Sequence, residues 1–360
     1  LNFKMLKNFS GNFYFDFLLL VFLTHVYYKL SFVNSLYEDF LLLDQIRNQN
    51  VTSTFFFVES PVFTLLGLLL GVENFDVYKL LVYFVTLFGF ALIVYNSKFL
   101  KNYSTLYLFG GWVITCSWFM GYVDVLSVLF CTLICKTMFS PNPNYFKTFI
   151  WMLLMTINHN AVSFGIFIII FILINNEFKL KFFLVSLISQ LAGNVLIQIY
   201  LSNIGFGGRG RFRFIFNDNV IENSINFVSN NVFLVLWSGF LGISVLILII
   251  FNVIKWDSIR YILSALIVAL LITSLGLDTS RVFSLLVCPI IIFTLLEIEN
   301  NTKVNFQISY LYTFVVISHF LLGTQHLFGK NYKTTPMTNI ESFYDFVPRI
   351  VNSLMSNIWS

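Results

Sequence analysis

The sequence predicts an all-α fold: a polytopic transmembrane helical bundle of about eleven spans, with short surface helices in its first outer loop. Three observations lead to this prediction. Of the 360 residues, 58% are hydrophobic and only 11% are charged, and the mean hydropathy is +0.83. A soluble domain carries roughly 25% charged residues, so this chain has too few to cover a water-exposed surface. We therefore interpret its apolar runs as membrane spans.

The predicted spans follow from the length of each run, because about 20 apolar residues are needed to cross the hydrocarbon core. They cover residues 13–33, 79–96, 104–120, 122–140, 148–158, 160–175, 180–201, 232–254, 260–276, 281–296 and 305–323. The run at 61–72, PVFTLLGLLLGV, begins with Pro61 and has a length more typical of a surface or re-entrant segment than of a span. If it crosses, every later loop changes side; the paired lysines of the later loops favour a position on the surface. The run therefore predicts a short helix that starts at the membrane surface.

Lysine and arginine in the short loops predict the orientation, because these residues collect on the cytoplasmic side. With the N-terminus inside, the inner loops hold Lys98, Lys101, Lys136, Lys147, Lys179, Lys181, Lys255, Arg260 and Lys303. Residues 1–323 then form one transmembrane domain with a first outer loop at 31–78 and a central outer loop at 202–231. A short outer tail follows at 324–360.

The first outer loop carries three candidate catalytic acids, Glu38, Asp39 and Asp44. Apolar residues recur at helical spacing between Leu36 and Arg47, which predicts an amphipathic helix on the bilayer surface with its acids toward water. Partial desolvation there would raise the pKa of Asp39 toward the range useful for a general base. The alternative is a solvated loop acid without a catalytic role.

The central outer loop contains a cluster of three arginines in the segment GFGGRGRFRF at 205–214. Arg209, Arg211 and Arg213 alternate, so they would point the same way on an extended chain. Guanidinium groups bind phosphate in a fork, which makes this cluster a candidate site for a lipid-linked phosphate. The alternative is a basic loop that lies on anionic lipid headgroups.

Four further polar residues are predicted to face the same outer cavity: Asp124, His159, Asp278 and Arg281. Each also has a structural explanation. Asp278 can cap the following helix while Arg281 snorkels to the surface. Asp124 is equally explained as an acid at a helix N-terminus, and His159 as the residue of a tight outer turn.

Several classes of function lack support in the sequence. It contains no P-loop, GxGxxG, HExxH or GxSxG motif, which removes the usual signature of soluble NTPases, dinucleotide enzymes and hydrolases. Its net charge of +4 is too small and too scattered for a nucleic-acid footprint. The four cysteines all fall inside apolar runs, so we predict buried thiols and neither a disulfide nor a metal site. No cofactor is predicted.

This arrangement resembles the GT-C superfamily of membrane glycosyltransferases, which use polyprenyl-phosphate sugars as donors. The resemblance rests on the multi-span layout, on the acid that follows the first span in Tyr37, Glu38 and Asp39, on the surface-helix candidates at 36–47 and 61–72, and on later outer polar residues. It covers the architecture of most of the chain. One departure is that many members have a large soluble C-terminal domain, whereas only the tail follows the last predicted span here.

The resemblance implies an enzyme of a bacterial inner membrane with its active site on the periplasmic face. Asp39 would be the catalytic base, with Glu38 and Asp44 as competitors. The sugar would pass with inversion from polyprenyl phosphate to a glycan or lipid acceptor, and outer-loop arginines would meet the donor phosphate. The full set of substrate-binding candidates is Arg209, Arg211, Arg213, Asp278, Arg281, His159 and Asp124.

Other functions fit the same layout. A polysaccharide or O-antigen polymerase would share the spans and the arginine-bearing outer loop, and would act on a lipid-linked oligosaccharide. A transporter or flippase would show an internal repeat with paired broken helices, and the sequence has no convincing repeat. A structural subunit of a membrane complex is compatible with the composition.

Overall fold

The computed structural model describes residues 11–33, 35–48, 51, 60–206, 220–244, 254–275, 279–300, 308–321, 326–328, 331–333, 345–349 and 351. In the first half the helices are α1 (Phe13–Val21), which continues as a π-helix (Phe22–Tyr27), α2 (Leu36–Arg47), α3 (Val62–Leu69), α4 (Phe75–Ser97), a 3-10 helix (Lys98–Tyr103), α5 (Ser104–Tyr107), α6 (Gly111–Trp118), α7 (Asp124–Met138), α8 (Tyr145–Asn158) and α9 (Asn160–Leu173).

The second half begins with α10 (Asn176–Asn203), α11 (Val220–Asn230) and α12 (Val232–Phe240), which is followed by a 3-10 turn (Leu241–Ile243). It continues with α13 (Trp256–Thr273), α14 (Thr279–Leu286), α15 (Cys288–Asn300) and α16 (Ile308–Leu321). Two short antiparallel strands follow, β1 (His326–Phe328) and β2 (Asn331–Lys333), with His326 opposite Lys333.

The predominantly helical fold is confirmed, but the count of eleven spans is not. Within the described chain, four stretches are long and apolar enough to cross a membrane: Phe75–Tyr107, Asn176–Asn203, Trp256–Thr273 and Thr279–Asn300. Phe13–Tyr27 and Asn160–Leu173 are shorter apolar helices. Several predicted spans are interrupted, and α6 has only eight residues. An eight-residue helix is only about 12 Å long, too short to cross alone.

Asparagine side chains mark where three of the helices begin. Asn12 accepts a hydrogen bond from the backbone of Tyr14 at 3.0 Å, and Asn74 accepts one from Asp76 at 2.8 Å. Asn144 caps α8 in the same way. These bonds satisfy N–H groups that have no partner inside a helix. The predicted short helix after Pro61 is also present, as α3.

One end of the bundle gathers the lysines of the predicted inner loops, and we call it the lysine end. Contacts between helix ends define it: Lys101 with Glu299, Ser258 with Glu297, Lys136 with Asn96, and Lys179 over the Tyr261 ring. These contacts join the C-terminal ends of α4, α7 and α15 to the N-terminal ends of α10 and α13. The directions of these helices therefore agree with the alternation of inner and outer loops that the lysines predict.

At the opposite end, which we call the Asp39 end, residues 28–33 and Leu36 pack against the loop 117–122. The Val33 N–H donates to the Met120 carbonyl at 2.9 Å. Gly121 makes the turn with a φ of +115°, and a Cβ there would lie 2.9 Å from a methyl group of Val33. Glycine is required because it tolerates both the backbone conformation and the close approach. This packing fixes the chain that leads into α2.

Candidate functional site

Asp39 lies on the buried face of α2. Leu36, Phe40 and Leu43 are buried, and Asp39, which is only 2% exposed, belongs to the same helical stripe. This corrects, for Asp39, the prediction that the acids of this helix point toward water; the Asp44 side chain does so and is 56% exposed. The spacing itself gives the reason, because a residue three positions after Leu36 and four before Leu43 shares their face.

Two hydroxyl groups hold the Asp39 carboxylate. Thr64 of α3 donates to Oδ1 at 2.7 Å, and Tyr78 of α4 donates to Oδ2 at 2.5 Å. Both donors are themselves buried. Gly67 lets the helices approach, since a Cβ there would lie 3.0 Å from the Tyr78 ring. The short helices α2 and α3 and the first turn of α4 thus form a small polar site inside an apolar environment.

The environment of Asp39 raises its pKa to about 6, because burial disfavours the charged carboxylate. The hydrogen bonds from Tyr78 and Thr64 act in the opposite direction, since they stabilise the charged form. A carboxylate with a pKa near the operating pH can both accept and release a proton efficiently. Asp39 therefore has the proton affinity that the sequence analysis expected of a general base.

Tyr200, near the C-terminal end of α10, is a component of this site that sequence reasoning missed. It lies close enough to Asp39 and to Tyr78 for electrostatic interaction. The contact between the helices is apolar: Leu42 of α2 packs with Ile197 and Leu201. The Tyr200 hydroxyl oxygen is buried and has no hydrogen-bond partner among the described residues. A tyrosine about 160 positions along the chain carries no sequence signal of this proximity.

A buried ion pair forms a second polar group at the Asp39 end. Arg281 Nε donates to Asp124 Oδ2 at 2.6 Å, and the two side chains are 12% and 1% exposed. The Arg281 guanidinium also lies 4.0 Å from the centre of the Tyr122 ring. Arg281 is thus held by a carboxylate and an aromatic ring, and its predicted role in substrate binding stays a prediction.

A hydrogen bond connects the ion pair to α2. Ser35, at the start of α2, donates to the Tyr122 hydroxyl at 3.3 Å. Tyr122 in turn stacks on Arg281, which binds Asp124. Asp39, Asp124 and Arg281 therefore lie at the same end of the bundle, as the topology predicted.

Comparisons with family models, curated proteins and solved structures give no match for this chain. The site is therefore interpreted from its own chemistry. It offers a buried carboxylate able to take up a proton, hydroxyl groups that orient it, and an ion pair on neighbouring helices. These groups are suited to binding neutral hydroxyl-bearing molecules and to moving a proton.

His159 joins α8 to α9 and has a structural role. It is 5% exposed, and its Nδ1 accepts a long hydrogen bond of 3.5 Å from the Val162 N–H, which caps α9. Its neighbour Asn158 donates to the Val123 carbonyl and to Ser127, both at 2.9 Å. The predicted tight turn is present, and Asn158 holds it against the start of α7 beside Asp124.

The two competitors of Asp39 differ from it in environment. Asp44 lies on the outer face of α2 and pairs with Arg47 at 3.3 Å, with its side chain 56% exposed. Glu38 is partly buried, which raises its pKa, and its Oε2 is buried without a hydrogen-bond partner in the described part of the chain. Of the three acids predicted as catalytic, Asp39 is the one enclosed by hydrogen-bond donors.

Four predicted substrate-binding residues lie outside the described residues: Arg209, Arg211, Arg213 and Asp278. The prediction that the arginine cluster shares a pocket with Asp39 thus remains a prediction. The chain on either side of that cluster is described. Phe206 packs on the Leu42 cluster beside Asp39, and Val220 begins α11.

Proposed function

We propose that this chain is a multi-pass membrane glycosyltransferase that transfers a sugar from a polyprenyl-phosphate donor to an acceptor hydroxyl. The observation that carries the proposal is the Asp39 carboxylate, which is buried, held by two hydroxyl groups and has a pKa raised to about 6. Such a group can deprotonate an alcohol as that alcohol becomes a nucleophile. The resemblance to the GT-C superfamily assigns the same role to an acid after the first span.

The orientation of the chain follows from its two ends. The lysine end would face the cytoplasm, because lysines in short loops are retained there. The Asp39 end would then face the extracytoplasmic side, which in a bacterial inner membrane is the periplasm. The described helices that are too short to span alone, such as α5 and α6 or α14 and α15, would cross in pairs. Lipid-linked donors and acceptors are available on that side.

The proposed reaction is a single displacement. Asp39 takes the proton of the acceptor hydroxyl while the acceptor oxygen attacks the anomeric carbon of the donor sugar. The bond from that carbon to the phosphate oxygen breaks, and polyprenyl phosphate leaves with the electron pair. Configuration at the anomeric carbon is inverted. Tyr78 and Thr64 hold the carboxylate in one orientation throughout, which lowers the cost of alignment.

Charge on the leaving phosphate requires a cation or several hydrogen-bond donors. Arg281 Nε donates to Asp124, but a guanidinium has five N–H donors, so Arg281 stays one of the candidates for this task. Arg209, Arg211 and Arg213 are the other candidates from sequence, because they are arginines in the outer loop that follows α10. Their role is part of the proposal.

The decisive experiment compares Asp39→Asn with Asp44→Asn in membranes supplied with radiolabelled polyprenyl-phosphate sugars. The amide in Asp39→Asn keeps the size of the side chain but cannot accept the proton, so transfer should fall by at least about 100-fold, the lower range for a general base. Asp44→Asn is the matched control, since Asp44 is exposed and pairs only with Arg47 among the hydrogen bonds described. Equal activity in both variants would remove Asp39 from the role.

One observation favours a second candidate, a proton-coupled transporter. Asp39 is fully enclosed, and a buried carboxylate with a pKa of about 6 can exchange a proton as well as catalyse. A transporter would move solute across proteoliposomes without any covalent change, and Asp39→Asn would uncouple that flux from the pH gradient. Sugar transfer without flux would exclude this alternative. An oligosaccharide-diphosphate lipid used as donor would identify a polymerase in the same assay.

A further inference from the structure

The hydrogen bonds of the Asp39 site are incomplete. The Tyr200 hydroxyl oxygen and Glu38 Oε2 are both buried, and neither has a hydrogen-bond partner within the described ranges. A buried polar group left unpaired costs about 1–3 kcal/mol. Of these two groups, the Tyr200 hydroxyl lies within electrostatic reach of the buried Asp39 carboxylate, which indicates that a molecule with hydrogen-bonding groups belongs there.

The position of Tyr200 is fixed by packing. Leu42 of α2 contacts Ile197 and Leu201 on α10, and these three residues form a small apolar cluster with the Tyr200 side chain against it. The Tyr200 side chain therefore lies where α10 packs on α2, within electrostatic reach of Asp39. Thr64 and Tyr78 approach Asp39 from α3 and α4.

The unused hydrogen-bonding capacity of Asp39 and Tyr200 indicates which chemical group would bind between them. Each Asp39 oxygen accepts one hydrogen bond, and a carboxylate oxygen can accept two. Tyr200 can donate one. A group that accepts from Tyr200 and donates to Asp39 at the same time is a hydroxyl. A phosphate dianion could accept from Tyr200, but it has no proton to donate and would meet the Asp39 charge at short range.

We propose that Tyr200 and Asp39 together bind a neutral, hydroxyl-bearing acceptor such as a sugar, with Tyr200 donating to the acceptor oxygen whose proton Asp39 accepts. This inference rests on the proposed function, because it names the substrate class of the same site. It makes Tyr200 a substrate-binding residue on α10. The phosphate of the donor then binds on the other side of the acceptor hydroxyl, away from this carboxylate.

A binding experiment tests the inference without any transfer reaction. Wild type and Tyr200→Phe, reconstituted in nanodiscs, are exposed to millimolar methyl glycosides of glucose, galactose, mannose and N-acetylglucosamine, and hydrogen exchange is measured in peptides that cover residues 36–47. We expect at least one glycoside to slow exchange in wild type and not in Tyr200→Phe. Inorganic phosphate should have no such effect. If no glycoside protects wild type, or if phosphate alone does, the inference is wrong.

A kinetic experiment adds a second readout. Tyr200→Phe should raise the acceptor KM by roughly threefold to tenfold, the value of one neutral hydrogen bond, with a smaller change in kcat. Tyr37→Phe is the matched control, because the Tyr37 side chain is 50% exposed on the outer face of α2. An unchanged KM in Tyr200→Phe would contradict the inference. Equal thermal unfolding of both variants shows that each is folded.

The two experiments separate the inference from the proposed function. Protection by a glycoside without sugar transfer in any assay would leave the binding site in place and refute the transferase. Transfer that depends on Asp39 but not on Tyr200 would support the transferase and refute the role of Tyr200.

Discussion

Replacing Arg281 by Met removes the cation from a pair that is almost entirely buried. The Arg281 and Asp124 side chains are 12% and 1% exposed, and their contact is a charge-assisted hydrogen bond of 2.6 Å. Breaking one partner of such a pair costs about 3–5 kcal/mol, because the other charge is left without compensation in a medium of low polarity. An exposed pair contributes only about 0–1 kcal/mol. Because both side chains of the Arg281–Asp124 pair are buried, we expect the larger cost for this pair.

The design is a double-mutant cycle with Arg281→Met, Asp124→Asn and the combined variant. Each single variant should lower the free energy of unfolding by about 3–5 kcal/mol, whereas the combined variant should lose much less than the sum. Both residues make further contacts, so the cycle is needed to isolate their mutual interaction. Glu299→Gln is the control, because its partner Lys101 is 67% exposed at a distance of 3.6 Å.

The chain contains its own reporter of unfolding. Cys116, Cys131, Cys135 and Cys288 are free and buried, so a thiol-reactive fluorophore labels them only when the packing opens. Denaturant titration in mixed micelles, followed with that fluorophore, gives the free energy of unfolding. We expect Glu299→Gln to lower the free energy of unfolding by less than about 1 kcal/mol. If Arg281→Met and Asp124→Asn lower it no more than this control, the pair is solvated in the native protein and our reasoning about its burial is refuted.

Four further predictions follow from the Asp39 site and from the packing of α6. Because Asp39 must be ionised to act as a base, the rate of sugar transfer should rise with pH through about 6 and then level, which a pH–rate profile measures. The free energy of unfolding has the opposite pH dependence: because the Asp39 pKa is raised above its unfolded value, the free energy of unfolding should fall between about pH 4 and pH 6. Asp39→Asn should reduce that slope in a pH series of denaturant titrations, while Glu38, whose pKa is also raised, keeps its own contribution. Tyr78→Phe removes a hydrogen bond that lowers the Asp39 pKa, so the rate profile should move to higher pH, and an unmoved profile would exclude Asp39 as the titrating group. Gly111→Ala should destabilise the fold by about 1–3 kcal/mol or more, because the new Cβ would lie 2.0 Å from the Ser238 carbonyl oxygen; an unchanged unfolding midpoint would contradict the contact between α6 and α12.

Sequence reasoning anticipated the helices and their directions, since both depend on local features. Apolar runs predict the helices, and the lysines of the short loops predict their directions. It also singled out Asp39 and the helix that carries it. The count of eleven spans is not confirmed in the described residues, because an apolar run has the same composition whether its helix is continuous or broken, as between Tyr107 and Gly111.

The spacing of the apolar residues around Asp39 places this acid on the buried face of its helix. Leu36, Phe40 and Leu43 form that face, yet an acid is expected to turn toward water because burying a charge is costly. The structure offsets that cost with hydroxyl groups of Thr64 and Tyr78, 25 and 39 positions away. Such donors become available only after α3 and α4 pack on α2.

The sequence by itself determined that the chain is helical and apolar, where its helices begin, and that acids follow the first apolar run, because these properties depend on composition and on neighbours within a few residues. Only the tertiary structure decided which acid is enclosed, that Arg281 belongs to Asp124, and that Tyr200 lies beside Asp39. These pairings join residues up to 161 positions apart. Hydrogen bonds and ion pairs act over a few ångströms, so they exist only where folding has brought their partners together.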